Sequence, residues 1–272
     1  MVAEDLRSIL EAVASKKMSV EEALKKIRLF ALEVIDDVVR FDIGRYVRRD
    51  IPEIVLGEGK DVETLKKIMD RLLRNLGVVV VSRLTEQQIE MLKSIEDVDV
   101  EVSLNEVGRI AVVKLKSVSL PRYLCRVGIV TAGTADIKVA EEARTVVEIM
   151  GCEAITIYDV GIAGFHRVLE ALKKLKEEDV DVVVAVAGME GALPSVIASL
   201  IDVPVIGVPT PVGYGVGGGG VAALYSMLQA CPLGLAVVNI DNGVGAGVIA
   251  ALIGRRIALT REKCFNKDQK QS

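Results

Sequence analysis

Asp181-Val182-Val183-Val184-Ala185-Val186-Ala187-Gly188-Met189-Glu190-Gly191 decides how the second half of this chain folds. A strand with one wet face alternates polar and apolar residues. An unbroken Val/Ala run that stops at a glycine turn is a strand covered on both faces. The pattern recurs. Strands are predicted at 126–131, 153–158, 181–187, 204–208 and 235–239, and helices at 137–150, 165–177, 194–201, 219–230 and 244–253. Regular strand–helix alternation predicts a doubly wound parallel α/β sheet. Ligands of such sheets sit beyond the carboxyl ends of the strands. Polar and glycine-rich segments gather there: Thr131-Ala132-Gly133-Thr134-Ala135-Asp136, Tyr158-Asp159-Val160-Gly161, Gly188 to Gly191, Pro209 to Gly220, and Asn239-Ile240-Asp241-Asn242-Gly243.

The first 120 residues predict a smaller mixed α+β domain, followed by the α/β domain over 121–257 and a tail over 258–272. Ser19-Val20-Glu21-Glu22 and Thr85-Glu86-Gln87-Gln88 read as capping boxes that open helices, the first running to about Phe30. Residues 61–76 predict an amphipathic helix and 78–81 a short buried strand. Residues 98–103 and 110–115 predict strands joined by a turn at Gly108, and 117–121 a linker.

Composition narrows the function. The chain is 51% apolar, 3% aromatic and carries a net charge of −4 with acids and bases interspersed, so no basic stripe for nucleic acid is present. Met1 to Arg7 bears early acids, which is not the pattern of a secretory signal. From Val203 to Ile240 there is no Asp, Glu, Lys, Arg or His, yet Pro204, Pro209, Pro211, Pro232 and many glycines break any membrane-spanning helix. Cys125, Cys152, Cys231 and Cys264 are widely spaced, and with one histidine in the chain a zinc cage is not expected. The expectation is a cytoplasmic protein with free thiols and no membrane partner.

Within the charge-free stretch, Gly213-Tyr214-Gly215 opens a glycine run ending at Gly220, and an apolar helix then leads to Cys231. Glycines before a helix let backbone N–H groups approach a nucleotide closely. Residues 215–220 also satisfy G-x-G-x-x-G, with Asp241 at about the expected distance beyond, but Thr210 to Tyr214 separate them from the strand, so a flexible ligand loop fits better than a dinucleotide fingerprint. Cys231 is a candidate nucleophile; a buried small residue is the blander reading. Glu190, next to an apolar strand, is expected to be buried, with the raised pKa of a general acid or base near neutrality. His166 is a further catalytic candidate, and Arg167 beside it suits phosphate or carboxylate. Asp136 either caps the next helix or holds ribose hydroxyls. Gly133, Thr134, Gly188, Met189, Gly213, Tyr214, Gly215 and Asp241 complete the candidate substrate contacts.

Gly128 to Asp136, Tyr158 to Arg167, Ala187 to Ser195 and Val237 to Gly243 resemble LarB, the pyridinium-3,5-biscarboxylic acid mononucleotide synthases of nickel-pincer cofactor biosynthesis. Ile51 to Lys60 resembles that family's N-terminal domain. A more distant likeness is to the PurE aminoimidazole ribonucleotide carboxylases, through the Asp136 loop, His166-Arg167, Leu193-Pro194 and Pro204 to Pro209. PurE enzymes carry a catalytic His before that Leu-Pro, where this chain has Ala192, and they lack a counterpart of Cys231. Asp42-Ile43-Gly44-Arg45 stands where related sequences carry His, so no site is assigned to the first half. The resemblance implies a PurE-like, flavodoxin-like sheet and a homo-octamer. It implies nicotinic acid adenine dinucleotide and carbon dioxide (or bicarbonate) as reactants, a Cys231 ring adduct with Glu190 moving the proton, and magnesium at the phosphates with ligands unknown. A PurE-type carboxylase and a non-catalytic nucleotide-binding protein are the alternatives.

Overall fold

The computed structural model describes residues 2–29, 32–35, 39–42 and 51–268, so 43–45 of the departing motif lie outside the described residues. The chain divides into two compact units, residues 1–103 with 112–118, and residues 104–111 with 119–272.

In the first unit, helices α1 (Val2–Ala14) and α2 (Val20–Leu29) precede a two-stranded antiparallel pair, β1 (Leu32–Ile35) and β2 (Val39–Asp42). The Ser19 box closes as expected: the Glu22 N–H donates to Ser19 Oγ and the Ser19 N–H to Glu22 Oε2. Then follow β3 (Ile54–Leu56), α3 (Val62–Leu76), β4 (Val78–Ser82), α4 (Glu86–Lys93), β5 (Val100–Asn105) and β6 (Ile110–Leu115), with sheet order β3-β4-β6-β5. Asp61 caps α3 through the Thr64 N–H at 2.8 Å. Gln88 has two tasks. Its Oε1 accepts from the Thr85 N–H to complete the second box, and its amide donates to the carbonyls of Gly57 and Lys60 at 2.9 and 2.8 Å. Fully buried, it pins the loop that follows the Ile51 to Lys60 motif.

The second unit is the predicted sheet. Its strands are β7 (Arg126–Thr131), β8 (Glu153–Ile157), β9 (Val182–Ala187), β10 (Val205–Pro209) and β11 (Leu235–Val237), in the order β11-β10-β9-β7-β8. Every pairing is parallel. Numbered along this unit, the order is 2-1-3-4-5, the flavodoxin-like arrangement, whose ligand crevice lies where the winding reverses between β7 and β9. On one face α6 (Phe165–Glu177), α7 (Leu193–Ala198) and α8 (Val221–Leu228) bury Val168, Leu175, Leu193, Ile197 and Met227 against Val183 and Ala185. On the other lie α5 (Ile137–Ile149) and α9 (Gly243–Asp268).

Helix α9 corrects two expectations, since it runs through both the predicted end near 253 and the predicted tail. Gly254 followed by two arginines reads as a helix stop. The glycine serves close packing instead, because a Cβ there would lie 3.1 Å from that of Cys125 and 3.4 Å from both Cys125 and Cys152 sulfurs. Arg255, 5% exposed, lies over the Tyr123 ring at 4.6 Å and donates to its hydroxyl. Among the described residues, Gly243–Phe265 is the helix long and apolar enough to cross a membrane. Here it serves as a core helix, burying Ala246, Ala250, Ala251 and Ala258 in the layer over the sheet.

Cys125 and Cys152, expected to be free thiols, form a disulfide, and both are buried. They precede the neighbouring strands β7 and β8, whose parallel register brings their backbones side by side. A bridge across 27 residues contributes ~3.5 kcal/mol in the chain-entropy view. Reduction, or Cys125→Ala, is therefore expected to lower the thermal midpoint on the order of 5–10 °C by differential scanning calorimetry, with Cys231→Ser as an unaffected control.

Candidate active site

At the carboxyl edge the strand ends turn sharply. Asp159, Met189 and Asp241 have φ of 58°, 52° and 60°, left-handed values that a non-glycine residue adopts only when its surroundings impose them. The Met189 N–H donates to the Val212 carbonyl at 2.7 Å, and the Asp241 N–H to that of Pro209 at 2.8 Å. Gly188 is buried with no room for a side chain, because Val212 O and Thr210 Oγ1 occupy the place of its Cβ.

Asp136 joins these loops. It is 2% exposed, and Thr210, fully buried, donates its hydroxyl to Oδ1 at 2.7 Å. The Gly133 N–H donates to Oδ2 at 2.9 Å, and the Gly188 N–H bonds the same carboxylate. Burial pushes its pKa up, against the lowering effect of these hydrogen bonds and of Lys138. The side chain makes no capping bond to α5. The structure thus gives Asp136 a third task beside the cap and the ribose ligand expected of it: it ties together the loops after β7, β9 and β10.

Gly133, Asp136, Gly188, Met189, Gly213 and Asp241 form one connected group, with Gly213 packed against Met189 and the Lys138 ammonium 3.9 Å from Asp241 Oδ1. Thr134, Tyr214 and Gly215 are exposed around it, Tyr214 at 82%. Glu190 is exposed as well, which corrects the expectation of burial: β9 stops at Ala187 and the Met189 turn carries the next side chain outward. His166 is exposed on the first turn of α6. Arg167 directs Nη1 to the Asp159 carbonyl and carboxylate at 2.8 and 2.9 Å, so part of its fork is engaged within its own loop.

Cys231 is exposed and free. It does not share the carboxyl edge. Gly191 packs on Ala223 in the first turn of α8, and Cys231 follows the far end of that helix, ~12 Å further along at 1.5 Å per residue. The Gly234 carbonyl then accepts from the Val205 N–H at the start of β10. Within one chain α8 separates Cys231 from Glu190. Among the described residues no three His, Cys, Asp or Glu side chains converge to hold a metal. The residues present do not fit a protein-held magnesium ion, and no reaction step is drawn through one.

A second polar cluster escaped sequence reading. Tyr158 donates its hydroxyl to Glu141 on α5, which also accepts from Asn105 at 2.5 Å and Arg144 at 2.7 Å. Burial, then Glu141, pushes the Tyr158 pKa up to about 12. Burial works against the Glu141 carboxylate, but its hydrogen bonds outweigh it and hold the pKa below the usual range. The one signal was the acidic pair Glu141-Glu142 on the buried side of a helix. Thr210 was missed because a threonine after a strand carries no motif.

The comparisons bear on this arrangement. The family model described as AIR carboxylase matches residues 126–271, and a LarB/PurE-like N-terminal domain matches 33–116. The chain belongs to the AIR carboxylase family. An uncharacterized protein of Methanocaldococcus jannaschii is 44% identical over 92% of this chain and 97% of its own length. The N5-carboxyaminoimidazole ribonucleotide mutase of the same organism is 35% identical over 51% of this chain and 83% of its own. That of Thermotoga maritima is 34% identical over 47% and 74%. The family relatives that carry a function in their names are thus ribonucleotide mutases, and they cover the sheet unit; the family likeness supports a carboxylase-related enzyme.

The Glu141 cluster gives a stability test. A carboxylate whose folded pKa is depressed contributes stability above its unfolded value and loses it as pH falls through the folded one. Glu141→Gln is expected to cost about 1–3 kcal/mol at neutral pH. Its denaturant midpoint should also fall less steeply than that of the wild type as the solution is acidified below the ordinary glutamate range.

Proposed function

We propose that the chain carboxylates the pyridinium ring of nicotinic acid adenine dinucleotide and cleaves its phosphoanhydride, releasing pyridinium-3,5-biscarboxylic acid mononucleotide and AMP. The observation that carries this reading is the exposed, unpaired Cys231 in a chain that joins a LarB/PurE-like N-terminal domain to an AIR carboxylase domain. A pyridinium ring is an electrophile and does not attack carbon dioxide. The Cys231 thiolate adds to ring carbon 4 and makes a dihydropyridine, an enamine nucleophilic at carbon 5. Carbon 5 attacks carbon dioxide, Glu190 takes the proton from that carbon, and the thiolate leaves as aromaticity returns. No electrons enter or leave, and one proton is released. Covalent catalysis replaces one inaccessible step with accessible ones. Water then divides the phosphoanhydride.

The separation of Cys231 from Glu190 along α8 is supplied by assembly: the thiol of one copy serves the carboxyl edge of another. A homo-oligomer, an octamer by the family resemblance, accommodates this. Val221, Tyr225 and Leu228 make an exposed stripe on α8, and Leu233 beyond it is 92% exposed. Such a stripe on a soluble domain marks a contact surface. His166 and Arg167 lie where a phosphate or carboxylate of the substrate would approach.

A second reading, carboxyl transfer on aminoimidazole ribonucleotide, is favoured by the identity with the ribonucleotide mutases over the sheet unit. Ala192 before Leu193-Pro194 weighs against it.

Incubation with each nucleotide and labelled bicarbonate, read by mass spectrometry, separates the two. The expected product is the dicarboxylated mononucleotide; labelled aminoimidazole product would install the second reading. Cys231→Ser should bind the dinucleotide and form no product, because an alkoxide is far harder to generate than a thiolate. The wild type should show a reversible dihydropyridine absorbance that this variant lacks. Glu190→Gln should bind and turn over slowly. Mixing the two variants under subunit exchange should restore part of the activity; mixtures as inactive as their components would contradict a site shared between copies.

A further inference from the structure

We propose that Thr210 is a positioning residue of the carboxyl-edge site, whose hydroxyl aims the buried Asp136 carboxylate at the Gly133 and Gly188 N–H groups and so fixes the loop bearing Met189 and Glu190. The assignment of Glu190 to the chemistry rests on the proposed function; the clamp itself rests on geometry.

Thr210 directly follows β10, and its N–H donates to the Ala187 carbonyl at 3.0 Å, continuing the ladder with β9 by one residue. That extra rung sets its side chain against the first residue after β9. The hydroxyl has 0% exposure and reaches Asp136 Oδ1 at 2.7 Å, across the chain from the β7 loop. Asp136 spends Oδ2 on Gly133 at 2.9 Å and also accepts from Gly188. Gly188 is locked from the other side too, since Val212 O and Thr210 Oγ1 leave no space for a Cβ. Two residues later the chain emerges as the exposed Glu190. Met189 between them keeps its left-handed φ of 52° only because both flanks are held.

A buried carboxylate with partners that all donate has one stable orientation. Without the hydroxyl it keeps the two glycine N–H groups but loses the bond that fixes its rotation. Hydrogen bonds to charged groups are among the stronger ones in proteins, so the loop's closed geometry should lose about tenfold to a hundredfold in population over its open forms. The threonine also places its methyl group in the fold, which makes valine the matching replacement without a hydroxyl.

The experiment compares wild type, Thr210→Val and Thr210→Ser as full-length protein. Native-state hydrogen exchange without substrate is read at the Gly133 and Gly188 amides. In Thr210→Val both should exchange about tenfold or more faster relative to amides of the β7 strand, while Thr210→Ser stays near wild type. With dinucleotide and bicarbonate, Thr210→Val should lower kcat by about tenfold or more with a smaller change in KM, and the serine variant should recover it. Unchanged exchange at Gly188 in the valine variant overturns the proposal whatever the substrate is. A wild type that does not carboxylate the dinucleotide refutes the proposed function and leaves the exchange comparison to decide on Thr210. If the valine variant does not fold, Thr210→Ala against Thr210→Ser makes the same comparison: faster exchange in alanine alone supports the clamp, equal exchange overturns it.

Discussion

A parallel sheet forces its chain to return. Each strand runs to the carboxyl edge, and a helix must carry the chain back before the next strand begins. Everything else in the second unit follows from that constraint. Segments after strands face the crevice; segments before strands meet at the opposite edge. Cys231 stands between a helix end and a strand start, so connectivity alone removes it from the company of Glu190. An active site that uses both must draw on the surface of another copy. The constraint that builds the pocket thereby couples catalysis to assembly.

The two edges are stiffened by different means. At the amino edge, Arg126 bonds Glu153 and the Glu178 carbonyl, the Arg126 N–H meets Asp181, and Arg261 of α9 pairs with the other oxygen of that aspartate. The Cys125–Cys152 bridge lies under Gly254 of the same helix. Charge pairs and a covalent link suit an edge that only has to stay closed. At the carboxyl edge the groups are backbone amides, one buried carboxylate and glycines. These leave Met189, Glu190 and Tyr214 open to solvent while holding the turns beneath them in conformations the side chains would not choose alone.

The fold was legible because both faces of the sheet are covered. Runs such as Val182 to Ala187 have no competing explanation, and β7 and α6 begin and end where the sequence places them. Short-range capping chemistry was equally readable at Ser19 and Thr85. What failed were features set by tertiary context. Gly254 looks like a helix stop until the sulfurs beside it are seen. Glu190 looks buried because its neighbours in sequence are apolar, yet one left-handed residue turns it out. Asp136 and Thr210 are far apart in the chain and show no spacing that would join them. The disulfide was missed for the same reason: it depends on register between neighbouring strands, which spacing does not reveal.

The pairing of Cys125 with Cys152 also divides the chain's sulfur chemistry in two. Cys231 and Cys264 are both exposed, while the other two are buried and bonded. A gentle alkylating reagent acting on native protein therefore meets two thiolates and no more. One of them sits on the apolar stripe side of α8 and the other near the far end of α9. The rate at which each is modified, followed with and without ligand, turns the protein's own cysteines into separate reporters of a shielded contact surface and of a distant helix end.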